Sequence, residues 1–355
     1  MKPRSGVSLC LHIGMPKTGT TAVQHFLAYN RQPLSDSGIL YPECGIPDFQ
    51  HAAFVKSIVA RHYPWTVCNN GTEHIEPKNY LNSVIDQCRE RKCSRVIMSS
   101  EFFWAAPAMQ SGPPYHRVTE KNLSHLDDFV CRCRELFQLF EKVQIVVYLR
   151  RQDGWLDSFF GQQVKEGFNS PDEKIIRTPR IYLLYAENLK IWAREFGREN
   201  IAVRIYDEQT GDVVGDFCRT VEIDASRYQR PKRESLTVNN RLTTLAADIM
   251  KNASKLTVDS RLMERMKRIL METSYVLIRQ QQAGVQLFSR DLLADALRLY
   301  SEENRKLAAM FPEAERLLDT TPLASAVEEG SQTQCLEHDT QQLIADLVNL
   351  AAREK

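Results

Sequence analysis

The chain has 355 residues, 43% of them hydrophobic and 26% charged, so it can bury a sizeable core as an ordinary globular protein. Its formal net charge of +1 excludes a nucleic-acid binder that works by bulk electrostatics, and any anion site must be local. The nine cysteines are odd in number, scattered and without a CxxC pair, and no stretch approaches ~18 apolar residues. These counts predict reduced thiols in a cytoplasmic protein, with no disulfide framework, zinc site or membrane partner.

In chain order, Val7 to Ile13 is a buried strand that runs straight into a glycine loop, Gly14 to Gly19. Thr20 to Tyr29 follows as a helix with Ala22, Val23, Phe26 and Leu27 on one stripe. Gly38 to Pro42 reads as a short strand. Helices are expected near Ala52 to Arg61 and over Pro77 to Arg91, with a strand at Arg95 to Ser100. Residues 105–118 (AAPAMQSGPPYHRV) have the composition of a loop. A helix over Leu123 to Phe140 precedes Val143 to Leu149, apolar at nearly every position, as strands buried on both faces of a parallel sheet are. Asp153 to Lys165 and Ile181 to Phe196 read as helices, the second stopped by Gly197. Ile201 to Tyr206 is a strand and Val213 to Thr220 a short helix. Beyond that only helical patterns occur, near 238–252, 260–280, 289–309 and 339–353. The alternation predicts a P-loop-type α/β fold: a doubly wound parallel sheet flanked by helices over residues 1–225, and a helical C-terminal extension over 226–355 packing on the same domain.

The segment His12-Ile-Gly-Met-Pro-Lys17-Thr-Gly-Thr-Thr21 joins a strand to a helix N-terminus. Backbone N–H groups converge at such a junction, and the helix dipole adds partial positive charge. Gly14 and Gly19 allow the tight path and the close approach of a phosphate. Against the nucleoside-triphosphatase pattern GxxxxGK[ST], the glycine spacing fits, but the lysine position holds Thr20 and the lysine is Lys17. A reading as an ATP or GTP enzyme loses the cation that spans the β and γ phosphates.

Lys17-Thr-Gly-Thr-Thr21 resembles the 5′-phosphosulfate loop of the sulfotransferases that use 3′-phosphoadenosine-5′-phosphosulfate (PAPS), bacterial carbohydrate-type members among them. A second motif of that family is a strand ending in Arg with a Ser eight residues on. Val-Val-Tyr-Leu-Arg150 and Ser158 match it, although Arg151-Gln152 stands where the family often has Asn-Pro. Val-Arg-Ile-Tyr206-Asp-Glu208 is similar to the family's strand ending in Tyr-Glu-Asp, and Glu303-Asn304-Arg-Lys-Leu-Ala-Ala-Met-Phe311 to its C-terminal helix. The resemblance covers residues 7–220.

It implies in-line transfer of a sulfuryl group from PAPS to an acceptor hydroxyl, that of a carbohydrate first, leaving 3′,5′-ADP and needing no metal. Lys17 would stabilise the leaving oxygen, and Thr18, Gly19, Thr20 and Thr21 would hold the 5′-phosphate. Arg150 and Ser158 would hold the 3′-phosphate, and Tyr206 would lie by the adenine. Glu101, at the carboxyl end of its strand, is the first candidate for the base, with His51 in reserve. Two other classes stand beside this one: a P-loop kinase-like enzyme using ATP and Mg²⁺, and an inactive sulfotransferase-like binding protein. The residues leave the acceptor open.

Overall fold

In the computed structural model the described residues are 6–44, 49–62, 75–109, 120–165, 176–177, 179–207, 211–231, 246–247, 249–250, 260–279 and 288–321. Five strands form one sheet: β1 (Ser8–His12), β2 (Ile39–Leu40), β3 (Arg95–Ser99), β4 (Val143–Leu149) and β5 (Ile201–Ile205). Their spatial order is β2-β3-β1-β4-β5, and every pairing is parallel. The predicted α/β fold with a parallel sheet is what the chain adopts.

Parallel neighbours need crossover helices, and the sequence supplies them between the strands. These are α1 (Thr20–Tyr29), α2 (Arg31–Asp36), α3 (Ala52–His62), α4 (Pro77–Glu90), α5 (Phe102–Met109), α6 (Glu120–Phe137), α7 (Gln152–Lys165) and α8 (Tyr185–Phe196). After β5 come α9 (Val213–Thr220), α10 (Ser260–Arg279), α11 (Arg290–Leu299) and α12 (Ser301–Met310).

Strand alternation sends Cys10, Ile97, Val146 and Tyr148 into a cluster with Val23, Phe26 and Leu27 of α1 and Phe217 and Cys218 of α9. Their neighbours Leu9, Leu11, Val96, Met98, Ile145 and Val147 are buried as well, so both faces of the sheet are covered. Phe54, Phe103 and Phe137 meet pairwise with ring centroids 6.1–6.4 Å apart and link α3, α5 and α6.

Three expectations needed correction. Residues 105–109 continue helix α5 through Pro107 rather than forming a loop, because buried Phe103 and Trp104 anchor its start and the Ser100 hydroxyl accepts from the Phe102 N–H. Ile181–Leu183 is a separate 3₁₀ turn ahead of α8. The helix expected over 289–309 breaks at Tyr300, a buried ring whose hydroxyl accepts from the Arg180 N–H at 2.9 Å.

The chain divides into two compact units. The first comprises Met1–Arg151, Pro179–Leu236 and Tyr300–Asp319, and holds the whole sheet. The second comprises Gln152–Thr178, Thr237–Leu299 and Thr320–Lys355. In it Val164 of α7 packs with Ala246, Ala247, Ile249, Met250, Met266 and Leu270, and Phe160 meets Phe288. The helix expected near 339–353 and most of the one near 238–252 lie outside the described residues.

Candidate active site

In a parallel sheet, ligands bind beyond the carboxyl ends of the strands, where the direction of winding reverses. Here the chain leaves β1 toward β3 and β2, then crosses to β4 and β5 on the other side. Hydrogen bonds across the strand ends align that edge. Ser100 N–H donates to His12 O, Ile13 N–H to Val146 O and Tyr206 N–H to Leu149 O. The loop after β1, Glu101 after β3, Arg150 after β4 and Tyr206 after β5 therefore share one edge of the first unit.

The loop is shaped by three left-handed residues: Gly14 (φ 28°), Lys17 (φ 68°) and Gly19 (φ 77°). Thr18 is buried and closes the turn by donating to Met15 O at 2.6 Å. A methyl group on Gly14 would sit 2.6 Å from Thr20 Cγ2, and one on Gly19 would sit 3.0 Å from Val213 and 3.1 Å from the Tyr206 ring. Gly14→Ala should therefore push Thr20 aside and destabilise the loop by about 1–3 kcal/mol. Thermal melts and 3′,5′-ADP titration of the variant check this, the expected result being a lower melting temperature and weaker binding.

The Thr20 hydroxyl donates to Glu101 Oε2 at 2.9 Å, tying the start of α1 to the end of β3. Burial raises the pKa of Glu101, while the Thr20 hydrogen bond and the Lys17 charge pull it down by less. The carboxylate thus faces Thr20, with the Lys17 charge near enough to act on it, and it is Ser100, not Glu101, whose side chain caps α5. Tyr182, which the sequence reading missed, lies close enough that the Glu101 charge adds to the effect of burial in raising its own pKa. Nothing local marks that tyrosine, which stands 81 residues from Glu101 along the chain.

Arg150 is 5% exposed. Its Nη1 donates to the Lys17 carbonyl at 3.1 Å, and its guanidinium carbon lies 5.6 Å from the centre of the Tyr206 ring. Lys17, Thr18, Gly19, Thr20, Glu101, Arg150 and Tyr206 are thus brought together, with Thr21 half-buried in the first turn of α1. Arg151 turns to an ion pair with Asp319 at 3.3 Å.

His51 lies elsewhere in the hydrogen-bond scheme. It is buried, its backbone N–H donates to Ser99 O, and its Nδ1 lies 3.1 Å from the Ser99 nitrogen and 3.2 Å from the Ser99 carbonyl oxygen, against the end of β3. Burial lowers its pKa to about 4. Ser99 also bonds His12 Nδ1 through its hydroxyl at 2.8 Å, and burial takes His12 to about 3. These two neutral imidazoles brace the strand ends. Ser158 is half-exposed on α7 and belongs to the second unit, and Glu208 lies outside the described residues. Glu303 accepts from the Glu187 N–H at 2.8 Å in the first turn of α8, and Asn304 donates to Leu317 O, so that late segment has a structural use. Among the described residues, no group of three His, Cys, Asp or Glu side chains is placed to hold a metal ion, and no helix is long and apolar enough to cross a membrane.

No family model matches the sequence. A stretch of 105 residues is 38% identical to an uncharacterized protein of Archaeoglobus fulgidus, covering 29% of this chain and 28% of that protein's length. Among solved structures, a sulfotransferase from Alicyclobacillus acidocaldarius is similar over 79% of this chain and 96% of its own, with 13% identity and a TM-score of 0.36. A sulfotransferase domain from the curacin biosynthetic pathway is similar over 84% and 96%, with 12% identity and a TM-score of 0.35. At these scores the likenesses decide nothing about activity.

Proposed function

We propose that the chain transfers a sulfuryl group from PAPS to an acceptor hydroxyl, that of a carbohydrate first. The observation that carries the reading is the cation arrangement. Lys17 sits inside the glycine loop, beside Glu101, and Arg150 lies at the next strand end with a tyrosine face against it. A loop suited to one phosphate, a buried arginine suited to a second and a tyrosine ring suited to a purine would together fit a 3′,5′-bisphosphorylated adenosine.

The loop amides and Thr18, Gly19, Thr20 and Thr21 would hold the 5′-phosphate. Glu101, ionised, takes the proton of the acceptor hydroxyl as its oxygen attacks sulfur. The bond from sulfur to the bridging oxygen breaks in line, and the Lys17 ammonium stabilises the charge left on that oxygen. Glu101 ranks above His51 as the base, because the Nδ1 of His51 is committed to the Ser99 backbone and its ring is buried. Ser158 remains a proposed partner of the 3′-phosphate on motif spacing alone.

A thermal-shift screen tests the reading against its alternative. The expected result is stabilisation by 3′,5′-ADP and none by ATP with Mg²⁺; the reverse pattern favours a kinase-like enzyme. Arg150→Ala should erase a preference for 3′,5′-ADP over 5′-AMP, since a charged hydrogen bond to phosphate contributes about 1.5–3 kcal/mol. Calorimetric titration of both nucleotides measures it, and an undiminished preference would assign the 3′-phosphate to another residue.

A further inference from the structure

Arg150 makes a contact that no phosphate-binding role requires. Its Nη1 holds the carbonyl of Lys17, and Lys17 has a left-handed backbone. Two other non-glycine residues with positive φ are described, Lys92 and Glu222. Both follow helices, where Cys93 N–H closes onto Cys88 O and Ile223 N–H onto Cys218 O, the usual setting for such a residue. Lys17 has no helix behind it. It stands in mid-loop, where a side chain in this conformation is strained and persists only if its surroundings hold it.

The anchor itself is fixed at several points. The Arg150 carbonyl accepts from the Tyr185 hydroxyl at 2.6 Å, and the guanidinium packs on Tyr206. Tyr206 in turn borders Gly19, at the other end of the same loop. A guanidinium carries five donors in a rigid fork, so one group can serve a backbone carbonyl and an anion together.

We propose that Arg150 is a positioning residue for Lys17: by holding the Lys17 carbonyl it keeps the left-handed turn that presents the ammonium, and so couples anion binding at the end of β4 to charge stabilisation at the loop. What the ammonium does rests on the sulfuryl-transfer reading; the holding of the loop does not. An anion that orders Arg150 therefore also orders Lys17, and a donor lacking a 3′-phosphate should react more slowly as well as bind more weakly.

The test has a ligand-free arm and a turnover arm. Amide hydrogen exchange over Gly14 to Thr21 is compared in the wild-type chain, Arg150→Met, which keeps the apolar stem, and Arg150→Lys, which restores one donor. Thermal melts confirm that each variant is folded. Exchange should be about tenfold faster in Arg150→Met, the scale of one lost hydrogen bond, and intermediate in Arg150→Lys. Turnover of adenosine-5′-phosphosulfate, which has no 3′-phosphate, should fall about tenfold in Arg150→Met, yet fall no further when that change is added to Lys17→Ala. Unchanged loop exchange in folded Arg150→Met would overturn the proposal, and so would independent, multiplying losses in the double variant. Faster loop exchange together with a wild-type chain that turns over neither donor would uphold the loop-holding role and refute the sulfuryl-transfer reading instead.

Discussion

Lys17→Ala is expected to cut turnover by about 10²–10³-fold while changing the affinity for 3′,5′-ADP by less than about tenfold. The ammonium is needed where charge appears as the sulfur–oxygen bond breaks, and such a preorganised contact typically contributes about 3–4 kcal/mol in the transition state alone. On the proposed reading the product would make less use of it, because its 5′-phosphate would be held by loop amides and threonines. The Lys17 carbonyl, by contrast, is held by Arg150 and is untouched by the substitution. Initial rates and calorimetry on the same variant check this expectation. Equal losses in rate and in product affinity would make Lys17 a plain binding residue.

Glu101→Gln is expected to lower turnover by roughly 10²–10⁴-fold, the usual range for acid–base catalysis, with nucleotide binding near wild type. Glutamine keeps the shape and still accepts from the Thr20 hydroxyl, but it cannot take a proton. In the wild-type chain turnover should rise with pH through the raised pKa of Glu101 and then level off; the variant should lose that limb. The stability effect has the opposite sign. Because burial lifts the folded pKa above the unfolded one, the folded chain binds more protons between the two values, and stability falls as pH rises through that window. Above the folded value the penalty is fully present. At neutral pH Glu101→Gln should therefore melt no lower than wild type, with any gain closing below about pH 4, near the ordinary glutamate value. A variant that melts lower but keeps its turnover would make Glu101 a structural carboxylate.

The parts of this fold that are legible in the sequence are those set by local chemistry. β4 is legible because seven consecutive positions avoid charge, and the loop after β1 because its glycines and lysine fall between a strand and an amphipathic helix. Helix α2 escapes a pattern reading since it is six residues long and contains Pro33. The break at Tyr300 is equally silent, because the Arg180 N–H that fixes it lies 120 residues away. The site divides along the same line. Lys17 and Arg150 can be picked out by type and position, whereas the Thr20–Glu101 bond spans 81 residues and the Arg150–Lys17 bond 133. The packing of the His51 ring against the Ser99 backbone at the end of β3 is likewise tertiary, and no local pattern announces it.

Release of 3′,5′-ADP from PAPS in the presence of a panel of hydroxyl acceptors, sugars first, tests sulfuryl transfer most directly. The wild-type chain should release the nucleotide in step with sulfation of at least one acceptor, without added metal, and Lys17→Ala should reduce that release to near background. Tight binding of 3′,5′-ADP with no release across the panel would show an inactive binding protein, and consumption of ATP with Mg²⁺ in place of PAPS would show a kinase-like enzyme; either result contradicts the account.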